Sequence, residues 1–337
     1  MIKLALLSPV AWRTPPRHYG PWEQVSYNIA KGVADLGVEV TLFATGDSQS
    51  PGKLEYICNK GYEEDKEADA KVDECMHISC LMERAEEYDL IHNNFDFLPV
   101  TYSRLIDTPM VTTIHGFSSP KIIPVYKRYN DSVSYVSISN SDRSSELSYI
   151  ATVYNGLDPS EFTFSKDPEE YLLFLGRIHH DKGAYEAVQI AGKAGRRLLI
   201  AGIVQDKDYF SQKVEPYIDG EQVVYLGSVG PEKRDELLGG AYALLHPVNF
   251  EEPFGLSVAE SMFCGTPVIA FNRGSMPELI VNGKTGFLAG SVDEAAESVD
   301  RVAGLERLYC RQWALQNFSI EKMASGYLDV YKKVLGI

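Results

Sequence analysis

Short apolar runs alternate with longer segments of helical periodicity along almost the whole chain. Lys3–Leu7 is the first apolar run, and apolar residues then recur three or four positions apart from about Glu23 until Gly37. This spacing predicts a strand and then an amphipathic helix that ends at the glycine. The same pattern predicts further strands in the first half of the chain over 38–43, 90–92, 110–114 and 135–138. Such alternation is typical of α/β proteins with parallel sheets.

A second alternating series begins at 171–175 and predicts strands over 198–201, 223–226, 243–246 and 267–270. A cluster of turn-forming residues at 155–159 separates the two series, so we place a linker at about 155–168. The chain is therefore predicted to form two doubly wound domains, residues 1–158 and 159–318. Ligands of such domains bind at the carboxyl ends of the strands, and we expect them in a cleft between the domains. The acidic stretch 61–74 is predicted to be a solvated helix or a mobile loop.

Composition narrows the class of protein. The 337 residues include 32 basic and 47 acidic residues, which give a net charge of −15. This charge argues against nucleic acid as a partner and against a basic patch for anionic lipid. The five cysteines are an odd, scattered set, and no apolar run approaches the ~18 residues of a membrane helix. We therefore expect a cytoplasmic protein with reduced thiols and no integral membrane segment.

The segment 250–267 contains the densest candidate chemistry. Glu252 and Glu260 are separated by seven residues, and Gly255 precedes a run with helical spacing. Glycine permits close approach of the backbone to a ligand, and the first amides of a helix suit phosphate. The two carboxylates could then bind hydroxyl groups on either side of that phosphate, as in a sugar nucleotide. The simpler alternative is a buried helix with two solvated glutamates.

The Glu-x7-Glu spacing followed by Gly-Thr-Pro-Val at 265–268 resembles the retaining glycosyltransferases of family 4. The resemblance covers nearly the full length, although its specific motifs lie mostly in the second half. It implies the GT-B fold, in which two Rossmann-like domains face each other across a cleft. It also implies that residues 1–158 bind the acceptor, that 159–318 bind the donor, and that a last helix within 319–337 crosses back onto the first domain.

The resemblance assigns roles to individual residues. Glu252 and His115 correspond to the catalytic positions, with Glu252 on the sugar hydroxyls and His115 near the reaction centre, while Glu260 corresponds to the ribose-binding position. The motif Gly-Arg-x4-Lys-Gly at 176–183 carries a diphosphate clamp, although isolated cations of this kind are also common as solvated surface residues. The remaining residues assigned to the donor are Arg177, Lys182, Phe254, Gly255, Leu256, Ser228 and Val229.

The loop before the first helix departs from the family pattern. Members usually have Gly-Gly-x-Glu, whereas this chain has Gly20-Pro21-Trp22-Glu23. Proline lacks an amide N–H, so one phosphate donor is missing and the loop is a weaker candidate for phosphate binding. Its aromatic residues could shape the acceptor pocket or could simply pack the loop. The candidate acceptor and loop residues are Gly20, Tyr19, Trp22, Asn94 and Asp96.

The resemblance implies a metal-independent enzyme without a cofactor, which transfers a hexose from a UDP-glucose or GDP-mannose type donor to the hydroxyl group of a small-molecule or saccharide acceptor. Two alternatives are a GT-B sugar-nucleotide epimerase and a non-catalytic protein that binds sugar nucleotides. Cys75, His77 and Cys80 lack a second ligand pair at zinc-like spacing, so we predict no metal there. The Asp206-Lys207-Asp208 sequence spells a metal-binding Asp-x-Asp motif, but no apolar strand leads into it, and we predict that it is solvated.

Overall fold

The computed structural model describes residues 1–17, 20–117 and 119–337. The described chain divides into two compact units: Met1–Leu157 with Ile320–Ile337 forms the first, and Asp158–Ser319 forms the second. Each unit contains one parallel sheet flanked by helices. This is the α/β class predicted from the alternating pattern. No helix among the described residues is both long and apolar enough to cross a lipid bilayer.

The sheet of the first unit has seven parallel strands. They are β1 Lys3–Leu7, β2 Glu39–Phe43, β3 Lys53–Glu55, β4 Leu90–Asn93, β5 Met110–Ile114, β6 Ser134–Ser137 and β7 Tyr149–Thr152, in the spatial order β3-β2-β1-β4-β5-β6-β7. The apolar pattern predicted β1, β2, β4, β5 and β6 to within one residue at each end. It missed the edge strands β3 and β7, which are short and contain no fully buried residue.

Three helices belong to the first half of the chain: α1 Pro21–Asp35, α2 Ala70–Met82 and α3 Ile123–Arg128. Helix α1 starts two residues before the predicted position, since Pro21 is well suited to a first helical turn. The acidic stretch 61–74 consists of turns and then the first turn of α2. Asp69 caps that helix by accepting hydrogen bonds from the amides of Lys71 and Val72.

The sheet of the second unit has six parallel strands. They are β8 Tyr171–Leu175, β9 Arg197–Ala201, β10 Val223–Tyr225, β11 Ala243–His246, β12 Val268–Phe271 and β13 Gly286–Ala289, in the order β10-β9-β8-β11-β12-β13. The helices of this unit are α4 Ala184–Ala194, α5 Lys207–Tyr209, α6 Pro231–Gly240, α7 Leu256–Phe263, α8 Met276–Leu279, α9 Val292–Arg301 and α10 Arg307–Phe318. Of the strands, the apolar pattern missed only β13.

The last helix, α11 Ile320–Leu335, returns to the first unit, as the resemblance implied. It packs closely on α1, because a Cβ atom at Gly32 would lie only 2.7 Å from side-chain atoms of Ile320 and Ala324. A larger residue at position 32 would push the two helices apart. The C-terminal segment is thus an integral part of the core of the first unit.

A buried polar network joins α11 to the sheet. His92 Nδ1 lies 2.7 Å from the hydroxyl of Tyr331, and His92 Nε2 lies 2.8 Å from Thr113 Oγ1. The Thr113 hydroxyl is in turn 2.9 Å from that of Tyr327. Burial, with a smaller contribution from His115, lowers the pKa of His92 to about 3, so the ring is neutral. One nitrogen therefore donates and the other accepts, and both are paired.

Replacement of Tyr331 by phenylalanine is expected to destabilise the first unit. The variant leaves a buried imidazole nitrogen without a partner, which costs about 1–3 kcal/mol. Urea unfolding followed by circular dichroism measures the loss. Tyr56→Phe is the matched control, because Tyr56 is 50% exposed. Equal midpoints for Tyr331→Phe and the wild type would contradict a stabilising network.

Candidate functional site

Two strands at the centre of the second sheet define where a ligand can bind in that unit. Strands β8 and β11 are neighbours, and the connections that follow them lead towards opposite edges of the sheet. In open α/β sheets, ligands bind beyond the carboxyl ends of such a strand pair. Arg177 and Lys182 follow β8, while His246 ends β11 and Glu252 follows it. The position of these residues at one end of one sheet makes them the candidate site of the second unit.

Glu252 is held by two basic side chains. The residue is 7% exposed, and Lys182 Nζ donates to Glu252 Oε2 at 2.5 Å. His246 Nε2 lies 3.4 Å from the same oxygen, a close contact without the alignment of a hydrogen bond. Lys182 also lies over the ring of Phe250, 4.7 Å from its centroid. The structure therefore pairs the predicted sugar-binding carboxylate directly with a predicted phosphate-binding cation.

The pKa of Glu252 reflects these neighbours. Burial favours the neutral carboxylic acid and acts to raise the pKa. The contact with His246 and the positive charge of Lys182 act in the opposite direction and together outweigh burial, so the pKa falls to about 2. Glu252 is consequently ionised at neutral pH, and both of its oxygens can only accept hydrogen bonds. Sequence analysis missed His246, although its position at a strand end was the available signal.

Helix α7 begins immediately after the turn that follows Glu252. Gly255 precedes the helix with a φ of 87°, in the left-handed region, and caps it without a side chain. A Cβ atom at this position would lie 2.8 Å from Met276 Cε. No side chain of the described residues caps the helix, so the backbone amides of Gly255 and Leu256 are suited to an anion.

The side chain of Phe254, which was predicted to contact the donor, is buried in the packing of the second unit. Phe254 is 2% exposed, and its ring packs edge-on against the ring of Phe318, with 5.8 Å between the centroids. Its carbonyl oxygen accepts a hydrogen bond from Ser275 Oγ at 2.7 Å, while the Ser275 amide donates to the carbonyl of Glu252 at 2.9 Å. The Phe254 side chain and the loop around Ser275 therefore hold the Glu252 turn in place.

Glu260 is paired with a residue that sequence analysis did not identify. Glu260 lies on α7 and is 7% exposed, and Arg234 Nη1 on α6 is 3.1 Å from Glu260 Oε1. The Nε of Arg234 is buried and has no hydrogen-bond partner among the described residues. The predicted nucleobase residues Ser228, which is exposed, and Val229, which is partly buried, precede the same helix. Arg234 thus connects their loop to Glu260.

The turn that carries Lys182 is fixed against the end of β11. Gly183 has a φ of 77°, and a Cβ atom there would lie 1.9 Å from the carbonyl oxygen of Pro247, so only glycine fits. Arg177 lies at the start of the same segment, and its guanidinium donates to the side-chain oxygen of Gln205 on the loop after β9. The two predicted clamp residues thus have different partners, a carboxylate for Lys182 and an amide for Arg177.

In the first unit, three predicted residues lie together. His115, directly after β5, donates from Nε2 to Asn94 Oδ1 at 2.9 Å, and Asn94 directly follows β4. The ring of Trp22 stacks on His115 with 5.9 Å between centroids. Burial lowers the pKa of His115 to about 4, so the ring is neutral and Nδ1 is its acceptor nitrogen. Asn94 is 1% exposed, and its Nδ2 has no hydrogen-bond partner among the described residues.

The loop before α1 brings a buried carboxyl group to the helix terminus. Gly20 precedes Pro21 with a φ of 151°, and a Cβ atom at Gly20 would lie 3.0 Å from Glu23 Oε2. Burial raises the pKa of Glu23 to about 7, despite hydrogen bonds from its own amide and from that of Trp12. The buried Glu23 carboxyl group thus lies at the N-terminal end of α1. Tyr19 lies outside the described residues.

Asp96 is bonded within the packing of the first unit. Its Oδ1 accepts a hydrogen bond from the Tyr126 hydroxyl at 3.0 Å, and burial raises the pKa of its carboxyl group.

The side chains of Cys75, His77 and Cys80 do not form a group of neighbouring metal ligands. His77 is buried, and its Nε2 donates to the carbonyl of Ser8 at 2.9 Å, while Cys75 is exposed.

Comparison with known proteins agrees with this geometry. Residues 160–314 match the model of the family "Glycosyl transferases group 1". A glycogen synthase from Mycobacterium tuberculosis is 26% identical over 291 residues, which cover 74% of this chain and 70% of that protein. The crystal structure of AviGT4, a glycosyltransferase involved in avilamycin A biosynthesis, is 25% identical with a TM-score of 0.74, over 100% of this chain and 98% of that one. Anabaena Alr3699/HepE, solved in complex with UDP and glucose, has a TM-score of 0.75 at 19% identity, over 99% of this chain and 100% of that one.

Two Rossmann-like units, a returning C-terminal helix and these relatives define the chain as a glycosyltransferase of the GT-B fold. The glycosyl transferases group 1 model matches most of its second unit, residues 160–314. The predicted resemblance is thereby confirmed at the level of the group, and the relatives do not favour the epimerase or the non-catalytic alternative.

The protonation of His115 can be tested directly. An aspartate at position 94 places a carboxylate beside Nε2, and an opposite charge at this distance raises a histidine pKa by roughly 1–3 units. NMR titration of the imidazole nitrogens between pH 8 and 5 should find His115 neutral throughout in the wild type and titrating in Asn94→Asp. Asn94→Ala removes the partner without adding charge, so its His115 should stay neutral. Titration of the wild-type ring near pH 6.5 would contradict the assignment.

Proposed function

We propose that this glycosyltransferase moves a hexose from a nucleotide-diphosphate sugar to an acceptor hydroxyl, with retention at the anomeric carbon and without a metal ion. The observation that best supports the proposal is the buried, ionised Glu252, which lies beside Lys182 and directly before the N-terminus of α7. A carboxylate that only accepts hydrogen bonds suits sugar hydroxyls, while a lysine and free helix amides suit a diphosphate. A single ligand that combines both chemistries is a sugar nucleotide.

The diphosphate is assigned to Lys182, Arg177 and the amides of Gly255 and Leu256. Lys182 is bonded to Glu252, and a diphosphate offers this ammonium group a second anionic partner. Both cations lie on the segment after β8, so they would meet the negative charge of the donor without requiring a metal ion. This arrangement supports the metal-independent reaction.

The nucleoside is assigned to Glu260 and to the loop at Ser228 and Val229. Glu260 would bind the ribose hydroxyls with its Oε2, since Arg234 already occupies Oε1. Val229 and Ser228 would hold the base through their backbone groups. The structurally similar Anabaena protein Alr3699/HepE has been solved in complex with UDP-glucose, which supports a donor of the UDP-glucose type. A donor of the GDP-mannose type is the other candidate.

In the proposed reaction, the bond between the anomeric carbon and the diphosphate oxygen breaks, and its electron pair stays on the diphosphate. The acceptor oxygen forms its bond to the same face of that carbon, and its proton passes to the leaving phosphate. Lys182 and Arg177 stabilise the negative charge that develops on the leaving group, which is the main electrostatic contribution. Glu252 orients the hexose hydroxyls.

The first unit is assigned to the acceptor and to the sugar side of the reaction. Neutral His115 offers Nδ1 as a hydrogen-bond acceptor to a sugar hydroxyl, and Asn94 Nδ2, which has no partner in the described part of the chain, offers a buried donor. Trp22, stacked on His115, provides a flat surface for a sugar ring. Asp96, Gly20 and Tyr19 remain candidate contacts of the acceptor loops.

Thermal unfolding with added nucleotides tests the donor class. A ligand that binds only the folded protein raises the melting temperature, and at equal concentration a tighter ligand raises it more. UDP, GDP, UDP-glucose and GDP-mannose are compared with and without EDTA. We expect a shift with one nucleotide family that EDTA does not change. No shift with any of the four would overturn the proposed donor site.

The two glutamates should separate catalysis from binding. Glu252→Gln is expected to lower kcat by about 100-fold or more, since it removes an ionised group that orients the sugar, with little change in nucleotide affinity. Glu260→Gln should weaken nucleotide binding by roughly 10-fold or more, because hydrogen bonds to charged groups are worth about 1.5–3 kcal/mol. Glu232→Gln, on the exposed face of α6, is the control for both. Full turnover by Glu252→Gln would contradict its role.

Arg234 is expected to act through Glu260. Arg234→Met removes the ion pair and should weaken nucleotide binding in the same direction as Glu260→Gln. The double variant should bind nucleotide no more weakly than whichever single variant binds it less tightly, because the two residues act as one ion pair. The neighbouring Lys233→Met is the matched control, since Lys233 is exposed and pairs with Glu236 instead. Additive losses in the double variant would show that Arg234 and Glu260 act independently.

A further inference from the structure

Two loops of the second unit place metal-ligand side chains next to each other, outside the residues assigned to the sugar nucleotide. His179 and His180 lie on the loop after β8, and Asp206 lies on the loop after β9. One ligand atom from each of the three side chains lies within 4.8 Å of the others. Among the described residues, no other group of three histidine, cysteine or acidic side chains meets this condition.

The backbone holds the two loops at a fixed separation. Ile178 is fully buried, and its amide donates to the carbonyl of Ile203 at 2.8 Å. The carbonyl of Ile178 accepts hydrogen bonds from the amides of Gln205 and Asp206, at 3.2 and 3.1 Å. His179 therefore directly follows the residue that holds the two loops together, and the Asp206 amide itself makes one of the hydrogen bonds between them. Ligands on such a fixed scaffold need only side-chain rotation to converge.

The histidine and aspartate side chains of this group have atoms that could coordinate an ion. Asp206 uses Oδ1 to cap α5 through the Tyr209 amide at 2.9 Å, which leaves Oδ2, 3.8 Å from His180 Nδ1. Asp181 lies beside both rings, with Oδ1 2.9 Å from His180 Nε2 and Oδ2 3.3 Å from His179 Nδ1. Asp181 thus contacts a different nitrogen of His180 from the one that faces Asp206, so it is a neighbour of the two rings and not a member of the group of three. The bond that His179 Nδ1 accepts from the Asp181 amide is long, at 3.3 Å, and is weak competition.

We propose that His179, His180 and Asp206 form a site for a divalent transition-metal ion of the Zn²⁺ or Ni²⁺ type. Two imidazoles and a carboxylate are ligands that these ions prefer, whereas Mg²⁺ and Ca²⁺ prefer all-oxygen sites. Zinc takes its nitrogen and oxygen ligands at about 2.0–2.2 Å, so the ligand atoms must approach to roughly 3.5 Å. The present separations require movements of about an ångström. All three side chains are partly exposed, so the ion has free access.

Occupancy of this metal site would be transmitted to the Glu252 region. The turn His180–Lys182 carries the cation that pairs with Glu252. Asn249 connects this turn to the loop after β11, because its amide donates to the carbonyl of Asp181 at 2.6 Å and its Nδ2 to that of His180 at 3.1 Å. An ion on His180 therefore restrains Lys182. It is a structural or regulatory ion, separate from the proposed metal-independent transfer.

Equilibrium dialysis of the tag-free chain against ZnCl2 and, separately, NiCl2 tests the site. The starting protein carries Cys75→Ser and His18→Ala, so that an exposed thiol and a histidine outside the described residues cannot bind the ion. We expect one equivalent of metal to bind. His180→Ala and Asp206→Asn should each weaken the affinity by about tenfold or more, a loss seen even when outer-shell partners are removed.

The variants are chosen to keep the fold intact. Asparagine still caps a helix, so Asp206→Asn preserves α5, and Asp208→Asn, two positions further on within α5, is the matched control because Asp208 is exposed. A rise in melting temperature with Zn²⁺, lost in His180→Ala, is a second readout that does not depend on enzymatic activity. Wild-type affinity in both His180→Ala and Asp206→Asn, or no metal binding by the starting protein, would overturn the proposal.

Discussion

The candidate site of the second unit depends on one interaction, the contact of buried Glu252 with Lys182 and His246. A carboxylate as buried as this one would take up a proton if it were alone, because burial penalises the charged form. Two basic neighbours reverse that preference and keep Glu252 ionised. The ends of β8 and β11 supply these neighbours, and the close approach of Gly183 to Pro247 fixes one strand end against the other. Sheet topology, glycine geometry and charge thus converge on a single oxygen atom.

Electrostatics act in the opposite direction in the first unit. His92 and His115 have neutral hydrogen-bond partners, a tyrosine and threonine for the former and the amide of Asn94 for the latter, so burial dominates and both rings are neutral. The two units therefore present different chemistry. The first offers uncharged donors and acceptors beside an aromatic ring, which suits hydroxyl groups. The second offers paired charges and helix amides, which suits a diphosphate.

Much of the fold could be predicted because buried parallel strands leave a local signature. Strand β8 is a continuous apolar run, and β1 and β11 are apolar except for one terminal residue, so their bounds follow directly from the sequence. Edge strands β3 and β7 are short and only partly buried, so their signal in the sequence is weaker. Among the candidate site residues, Glu252, Glu260 and Lys182 could be found from motif spacing. Arg234 could not, because its importance lies in its contact with Glu260 on another helix, and His246 had only its position at a strand end as a signal.

The sequence by itself determined the alternation of strands and helices, the glycine before α7 and the spacing that places Glu252 and Glu260 around it. These are local properties, set by apolar periodicity and by backbone conformations that only glycine adopts readily. Tertiary structure alone decided which side chains contact His92 and Glu252, and which protonation state each of these two residues has. His92 meets Tyr331 across 239 positions of the chain, and Glu252 meets Lys182 across 70. A pKa depends on burial and on neighbouring charges, and both arise only when distant segments pack together.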